Sequence, residues 1–274
     1  MSPMFPVRTF RFAVMLAAII PCPRPAAGGD VERPQGIRYE KYDIPSARCA
    51  LHLVVFDTAY YTLKVIDNGP SLARPAYASL KDAVRQNGCY AGINGGFFDM
   101  QDFTPCGLMI AQGRKVSPFE SKTWQEGVFV VRGNQPSLIQ REAFTSAEGI
   151  SDALQSSPWL IRNGKVEEIQ KDDVRRTRRV FLVQGKSGIF AIGFSSRATL
   201  FEIAGALVSR SLAQTIEVSE VLVLDGATSG GFWYGFKGVV VDDPVQVPVR
   251  NFIGVAPIAS GVKGAPIPAA RAGN

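Results

Sequence analysis

Short apolar or alternating runs, separated by turn residues, dominate the chain. Arg48–Ala59 and Tyr61–Asn68 read as two successive strands. Ala76–Gln86 fits a helix with Ala76, Leu80, Ala83 and Val84 on one side. Tyr90–Asn94 is a short buried strand that runs into Gly95-Gly96. Gly107–Ala111 and Lys115–Ser117 flank Gln112-Gly113-Arg114, and Gly127–Arg132 and Ser137–Gln140 flank Gly133-Asn134-Gln135-Pro136; both read as hairpins. Ser146–Gln155 reads as a short helix.

In the second half, Trp159–Arg162 is a strand turned by Asn163-Gly164. Arg179–Gln184 and Gly188–Phe194 form another hairpin. Thr199-Leu200-Phe201-Glu202 is a capping box opening a helix with Leu200, Ile203, Ala204, Leu207 and Val208 inward. Val221–Leu224 is wholly apolar, which predicts a central strand, and it ends on Asp225. Val239–Val255 reads as edge strands broken by Pro244 and Pro248. The expectation is one α+β domain of mostly antiparallel strands with a few packed helices.

Composition agrees with this picture. The chain has 274 residues, 46% hydrophobic and 20% charged, with 27 Gly and 18 Pro spread along it, which favours short strands and turns over a helical bundle. The N-terminus stands apart. Arg8 and Arg11 precede the apolar run Phe12–Ile20, and small residues follow to Ala26-Ala27-Gly28. That is the layout of a cleaved export signal over 1–27, and the apolar run is too short to span a membrane. Pro21 directly before Cys22 argues against a lipidated cysteine. The chain then divides into an N-terminal segment over 28–47, the domain over 48–256 and a tail over 257–274 expected to be disordered. The predicted location is the periplasm or the exterior.

Removing the signal takes three arginines and no acids, which lowers the net charge from +6 to +3. Basic residues are scattered except in Arg175-Arg176-Thr177-Arg178-Arg179, so no nucleic-acid partner is expected. Oligomeric state is not legible. Cys49, Cys89 and Cys106 remain after processing; an exported chain permits a disulfide, and Cys89–Cys106 is one open pairing.

Three polar constellations carry candidate chemistry. The first is Asn94-Gly95-Gly96-Phe97-Phe98 with Asp99 and Asp102. Glycines permit close backbone approach or positive φ, and Asn94 both donates and accepts. A tight turn with the two phenylalanines as core plugs would explain the same residues. The second is Asp225-Gly226-Ala227-Thr228-Ser229-Gly230-Gly231, a carboxylate and two hydroxyls at the tip of a buried strand. The third is the arginine run: strand alternation sends Arg178 and Arg179 to opposite faces, so one of them can point towards Asp225. Arginine suits bidentate contact with carboxylate or phosphate.

His52 is the only histidine and lies far from these constellations, which disfavours a Ser-His-Asp triad or a histidine-rich metal site. Ser229 has no glycine two residues before it, so no nucleophile elbow is present. No cofactor is expected, and a divalent metal stays open.

Asn94–Phe98 with Gly107 thirteen residues beyond Asn94, Ser156–Val166 (SSPWLIRNGKV) and Leu224–Gly231 (LDGATSGG), in this order, resemble the phosphodiester glycosidase family. That family includes the mannose 6-phosphate uncovering enzyme and exported bacterial relatives. The resemblance spans roughly Arg48 to Val255. It departs at Ala227, where the family often has a second glycine, and at the doubled arginine. It implies hydrolysis between a sugar's anomeric carbon and a phosphate oxygen, on a glycan or sugar-phosphate substrate. On that reading Asp225 is the carboxylate, Arg178 or Arg179 the phosphate clamp, and Asn94 a hydrogen-bonding group. Thr228 and Ser229 hold ligand oxygens, Asp99 is a second acid, and Gly95, Gly96, Gly107 and Gly226 shape the binding surface. A non-catalytic glycan-binding or sugar-phosphate-binding envelope protein, and a purely structural exported domain, are the alternatives.

Overall fold

The computed structural model describes residues 36–168, 174–209 and 216–258. The expected export signal over 1–27 lies outside the described residues, as does the expected tail over 257–274 from residue 259 on. The first two residues of that expected tail are placed: Pro257 ends a strand, and the N–H of Ile258 donates to the Tyr60 carbonyl at 2.9 Å.

The first half contains β1 (Ile37–Ile44), β2 (Cys49–Asp57), β3 (Tyr61–Asp67), α1 (Leu80–Gln86), β4 (Ala91–Asn94), β5 (Met109–Ala111), β6 (Arg114–Ser117), β7 (Gly127–Arg132) and β8 (Gln135–Gln140). The second contains β9 (Ile150–Ser156), β10 (Trp159–Arg162), β11 (Lys165–Val166), β12 (Thr177–Gly185), β13 (Ile189–Ala198), α2 (Leu200–Leu207), β14 (Val218–Val223), β15 (Phe232–Phe236), β16 (Val239–Asp243) and β17 (Asn251–Pro257). The strands form three antiparallel sheets, ordered β1-β2-β13-β12-β14-β10-β11, β16-β15-β4-β17-β3 and β6-β5-β9-β7-β8. With two short α-helices among the described residues, the domain is more β-rich than the α+β expectation. β1, from the segment ahead of the expected domain start, is the edge strand of the first sheet.

Period-two alternation explains why the seven-stranded sheet is apolar on both faces. Val54, Phe56, Val180, Leu182, Ile192, Phe194, Leu222 and Leu224 face inward. There they meet Leu63, Val65, Ile93 and Ile253 of the second sheet and Met109, Phe129 and Leu154 of the third. The intervening residues Leu53, Val55, Phe181, Val183, Val221 and Val223 face outward and are covered by Ile203 and Leu207 of α2. Each such side chain, once fully buried, contributes about 1.5–3 kcal/mol. On the second sheet, α1 plays the covering part, with Leu80, Ala83 and Val84 over Ile66 and Phe252.

The hairpins at β5–β6, β7–β8, β10–β11 and β12–β13 form at the turns read from the sequence. β14 is interior, as its apolar run requires. Other expectations are corrected. β2 and β3 follow one another along the chain yet join different sheets. The helix over 76–86 begins only at Leu80, because Ser79 caps it by accepting from the Asp82 N–H. Val208 is the exposed C-cap of α2 and faces water rather than the core.

The helix expected over 146–155 is instead β9, the central strand of the third sheet. Its polar residues misled the periodicity. Asp152 is buried and accepts from the N–H groups of Val65 and Gln112, and buried Gln155 binds Leu108 and Glu120. β17 is an interior strand rather than an edge, since it starts beyond Pro248 and keeps its donors for two neighbours.

α2 starts with the expected capping box, Thr199 accepting from the Glu202 N–H while Glu202 binds the Thr199 N–H. Arg176 donates to both Glu202 oxygens at 2.7–3.2 Å and to the Ser46 carbonyl at 2.9 Å. Its hydrogen bonds to the Glu202 carboxylate hold that group down at about 2, against the opposing effect of burial. A depressed carboxylate adds stability above its unfolded value, which is lost as pH falls through the folded value. We therefore expect Glu202→Gln to lower the urea midpoint at pH 7. The deficit should shrink between about pH 4.5 and pH 2, as measured by urea titrations across that window.

Candidate active site

Adjacent strands β12 and β14 deliver the central pair of the site. Phe181 pairs with Val223 and Leu182 with Leu222, and the Leu224 N–H donates to the Val180 carbonyl at 2.9 Å. One further step of this register sets Arg179 across from Asp225. Both then continue the outward face of Phe181 and Val223, towards α2. Arg178, one residue away, takes the inward face. Its guanidinium lies 5.3 Å from the Phe194 ring centroid and pairs with Asp243. Strand alternation thus decides between the two arginines.

The turn after β4 locks the other edge of the β14 tip. The Asp225 N–H donates to the Gly95 carbonyl at 3.2 Å. The Asn94 amide donates to the Asp225 carbonyl at 2.8 Å and accepts from the Gly231 N–H at 3.0 Å. Asn94 is therefore buried beneath the loop and spans both its ends. Gly95 serves by close approach and not by positive φ, whereas a Cβ on Gly96 would meet its neighbours only at ordinary contact distance. A Cβ on Gly95 would collide with the side-chain oxygen of Asn251, which accepts from the Gly96 N–H at 2.8 Å. Asn251, buried behind the turn, was missed in the sequence because it lies 155 positions from its partner.

Asp225 opens onto a cleft of about 300 Å³, lined by Phe97, Ser157 and Pro158 together with Arg175, Thr177, Arg179 and Leu200. Burial pushes its carboxyl up to about 6, offset in part by hydrogen bonds from the Ser229 hydroxyl and the Gly226 N–H. At neutral pH it is mostly ionised and poorly solvated, which suits a base or nucleophile. Arg179 donates to the carbonyls of Ala198 and Arg175 at 3.1 and 3.0 Å while lining this cleft.

The remaining candidates divide. Gly226 is needed where it stands, because a Cβ there would lie 2.6 Å from the Arg178 carbonyl oxygen. Ser229 is buried against Asp225; Thr228 is exposed and its carbonyl accepts from Gln246 at 2.9 Å. The structure does not bring Asp99, Asp102 or Gly107 into the cleft wall. Asp99 and Asp102 are exposed and accept from the N–H groups of Gln101 and Thr104, which shapes their own loop. Gly107 has φ 78° and packs against the Gln125 and Gln155 side chains. His52 shares a hydrogen bond of 2.8 Å with the Tyr39 hydroxyl and does not line the cleft.

Cys89 and Cys106 are free, which removes that pairing. Burial pushes the Cys89 thiol up to about 12. Among the described residues no group of three or more His, Cys, Asp or Glu is placed to hold a metal ion.

The phosphodiester glycosidase family model matches residues 87–256, a span containing every strand that builds this cleft. The chain belongs to that family. Among curated proteins it is 26% identical over 167 residues to the uncharacterized protein YigE of Escherichia coli (strain K12). That match covers 58% of this chain and 64% of the relative's length. Among solved structures, it is similar to the zebrafish N-acetylglucosamine-1-phosphodiester alpha-N-acetylglucosaminidase catalytic domain, auto-inhibited by its pro-peptide. The TM-score is 0.57 at 14% identity, covering 80% of this chain and 82% of that one. A hypothetical protein from Synechocystis gives 0.54 at 16% identity, covering 80% and 62%. At such identities these two likenesses concern the fold.

Ala227, in the loop after β14, carries backbone strain. It sits at φ 50°, where a Cβ is strained and a glycine would not be. Ala227→Gly is expected to raise the unfolding free energy by about 1 kcal/mol, read from denaturant melts. A neutral or destabilising change would show that the loop relieves the strain in another way.

Proposed function

We propose that the protein is an exported hydrolase that cleaves the C1–O bond of a sugar-1-phosphodiester in an envelope glycan or related glycoconjugate. The observation that carries this reading is the cross-strand placement of Asp225 and Arg179 at one cleft. Family membership supports the reaction class; the substrate and the cellular setting belong to the proposal.

The chemistry needs little more than these groups. Water adds to the anomeric carbon, the C1–O bond breaks, and the phosphate keeps the bridging oxygen as a phosphomonoester. Asp225 either takes the proton of the attacking water or forms a glycosyl ester that water then opens. The transition state is oxocarbenium-like, and the poorly solvated carboxylate stabilises it. The departing phosphomonoester has a second pKa of about 6, so it leaves as a stable anion with little need of a general acid. Arg179 holds it during departure. Asn94, Ser229 and the glycines fix the loop and the orientation of the carboxylate. Arg178 anchors the far side of the loop through Asp243.

Purified protein should release a reducing sugar and a phosphomonoester from a member of a sugar-1-phosphodiester panel. Asp225→Asn should abolish turnover while binding persists. Arg179→Met should lose roughly 10²-fold in kcat, and Arg178→Met should change kcat far less while lowering stability. Because the Asp225 carboxyl sits at about 6 and acts ionised, kcat/KM should fall below that pH. Full activity of Asp225→Asn would sink this assignment. Binding of sugar phosphates without turnover anywhere in the panel would favour a non-catalytic glycan-binding protein.

Export is tested separately. N-terminal sequencing of protein from an envelope or culture fraction should begin near Gly28. Intact Met1 in the cytoplasmic fraction would overturn the location.

A further inference from the structure

Strand order gives the cleft a direction. β14 lies between β12 and β10, so Arg175, Thr177 and Arg179 flank Asp225 on one side. Ser157 and Pro158, just ahead of β10, flank it on the other. The turn after β4 extends this second flank, since Gly95 accepts from the Asp225 N–H and Phe97 lines the cleft two residues later. One flank is cationic, and the other is uncharged, with Ser157, Pro158 and the Phe97 ring.

Trp124 lies outside the cleft lining and packs on Phe97, which does line it. Its ring centroid is 4.8 Å from that of Phe97, with the planes at 76°. It is 57% exposed, whereas the other two tryptophans, Trp159 and Trp233, are 3% and 5% exposed. Its neighbours are pinned. Arg141 donates to the Thr123 carbonyl at 2.6 Å, and the buried Gln125 amide donates to the Gln155 carbonyl at 3.2 Å. An indole held in water by a fixed backbone loses little entropy on binding and presents a wide apolar face with a polar edge. The C–H face of a pyranose matches such a surface, and the sugar hydroxyls stay in water.

We propose that the cleft takes its substrate in one direction, the pyranose ring on a platform formed by the exposed Trp124 indole beside Phe97 and the phosphodiester on the Arg179 flank. The anomeric bond then lies over Asp225. The phosphodiester half rests on the hydrolase reading; the platform requires only a sugar.

Indole fluorescence tests this, because Trp124 is the exposed tryptophan of the described fold. Wild type, Trp124→Phe, Trp124→Ala and Arg179→Met are titrated with N-acetylglucosamine, glucose and mannose, and with inorganic phosphate by calorimetry. At least one sugar should shift the wild-type emission, and the shift should vanish in Trp124→Phe. Arg179→Met should keep the sugar response and lose phosphate binding; Trp124→Ala should keep phosphate binding. With a diester that wild type hydrolyses, Trp124→Ala should raise KM roughly tenfold and change kcat less, as loss of a ground-state stacking contact predicts. An emission shift that survives in Trp124→Phe, an unaltered KM in Trp124→Ala, or no response to any of the sugars overturns the platform. The two readings fail separately. A sugar response from Trp124 without turnover of any diester leaves the platform and removes the hydrolase. Turnover with a normal KM in Trp124→Ala does the reverse.

Discussion

The antiparallel pairing of β12 with β14 is the constraint on which the rest of the structure depends. It places Phe181 against Val223 and Leu182 against Leu222 at the centre of a sheet buried on both faces. A slip of β14 by one residue would exchange its own two faces, sending Leu222 and Leu224 towards α2 and Val221 and Val223 into the shared core. Packing therefore fixes the register strongly, and the register continues past the last apolar pair to Arg179 and Asp225. The hydrophobic effect thus sets where the charged pair emerges, and no attraction between those two groups is required for it.

Holding a carboxylate there has a cost. Burial raises the Asp225 carboxyl to about 6, so between its ordinary range and that value the folded chain keeps a proton that the unfolded chain releases. Stability accordingly declines as pH rises through that window and levels off above it. The surroundings limit this cost with donors rather than a counter-ion, the Ser229 hydroxyl and the Gly226 N–H. Asn94 satisfies the main-chain groups on both sides of the loop, so few rearrangements are open to the carboxylate. Gly95 and Gly226 lie where a side chain would strike Asn251 or the Arg178 carbonyl. These residues are thus explained by backbone approach, with no contact to a ligand required.

Local signals were legible in the sequence, and pairings between distant segments were not. The Thr199 capping box, the turn at Asn163-Gly164 and the apolar run of β14 each state their own structure within a few residues. Nothing within Arg48–Asn68 says that β2 and β3 belong to different sheets, because that depends on β13 and β17 far along the chain. β9 failed for a physical reason: its Asp152 and Gln155 are buried to hold other segments, whereas a pattern rule assigns polar side chains to water. At the site, Asp225, the glycines and the arginine run were visible. Alternation showed that one arginine of the pair would face the aspartate, and only the partner register could say which. Asn251 and Trp124 were not visible, since one acts through a distant turn and the other is marked out only by its exposure.

The arginine run also shows why a cluster in sequence need not be a patch in space. Strand periodicity and one bulge between Thr177 and Arg179 send its members to different tasks. Arg176 closes on Glu202 and Ser46 at the start of α2, Arg178 passes inward to Phe194 and Asp243, and Arg175 and Arg179 line the cleft. A compact basic surface would bind polyanions through long-range attraction with little regard to shape. Dividing the charges removes that broad field and leaves a local cationic flank beside a single carboxylate. That arrangement suits a ligand carrying one anion next to a neutral ring, because the flank attracts the anion and the opposing aromatic side rewards the ring. Discrimination then comes from the order of strands across the β14 tip, which no single side chain can supply.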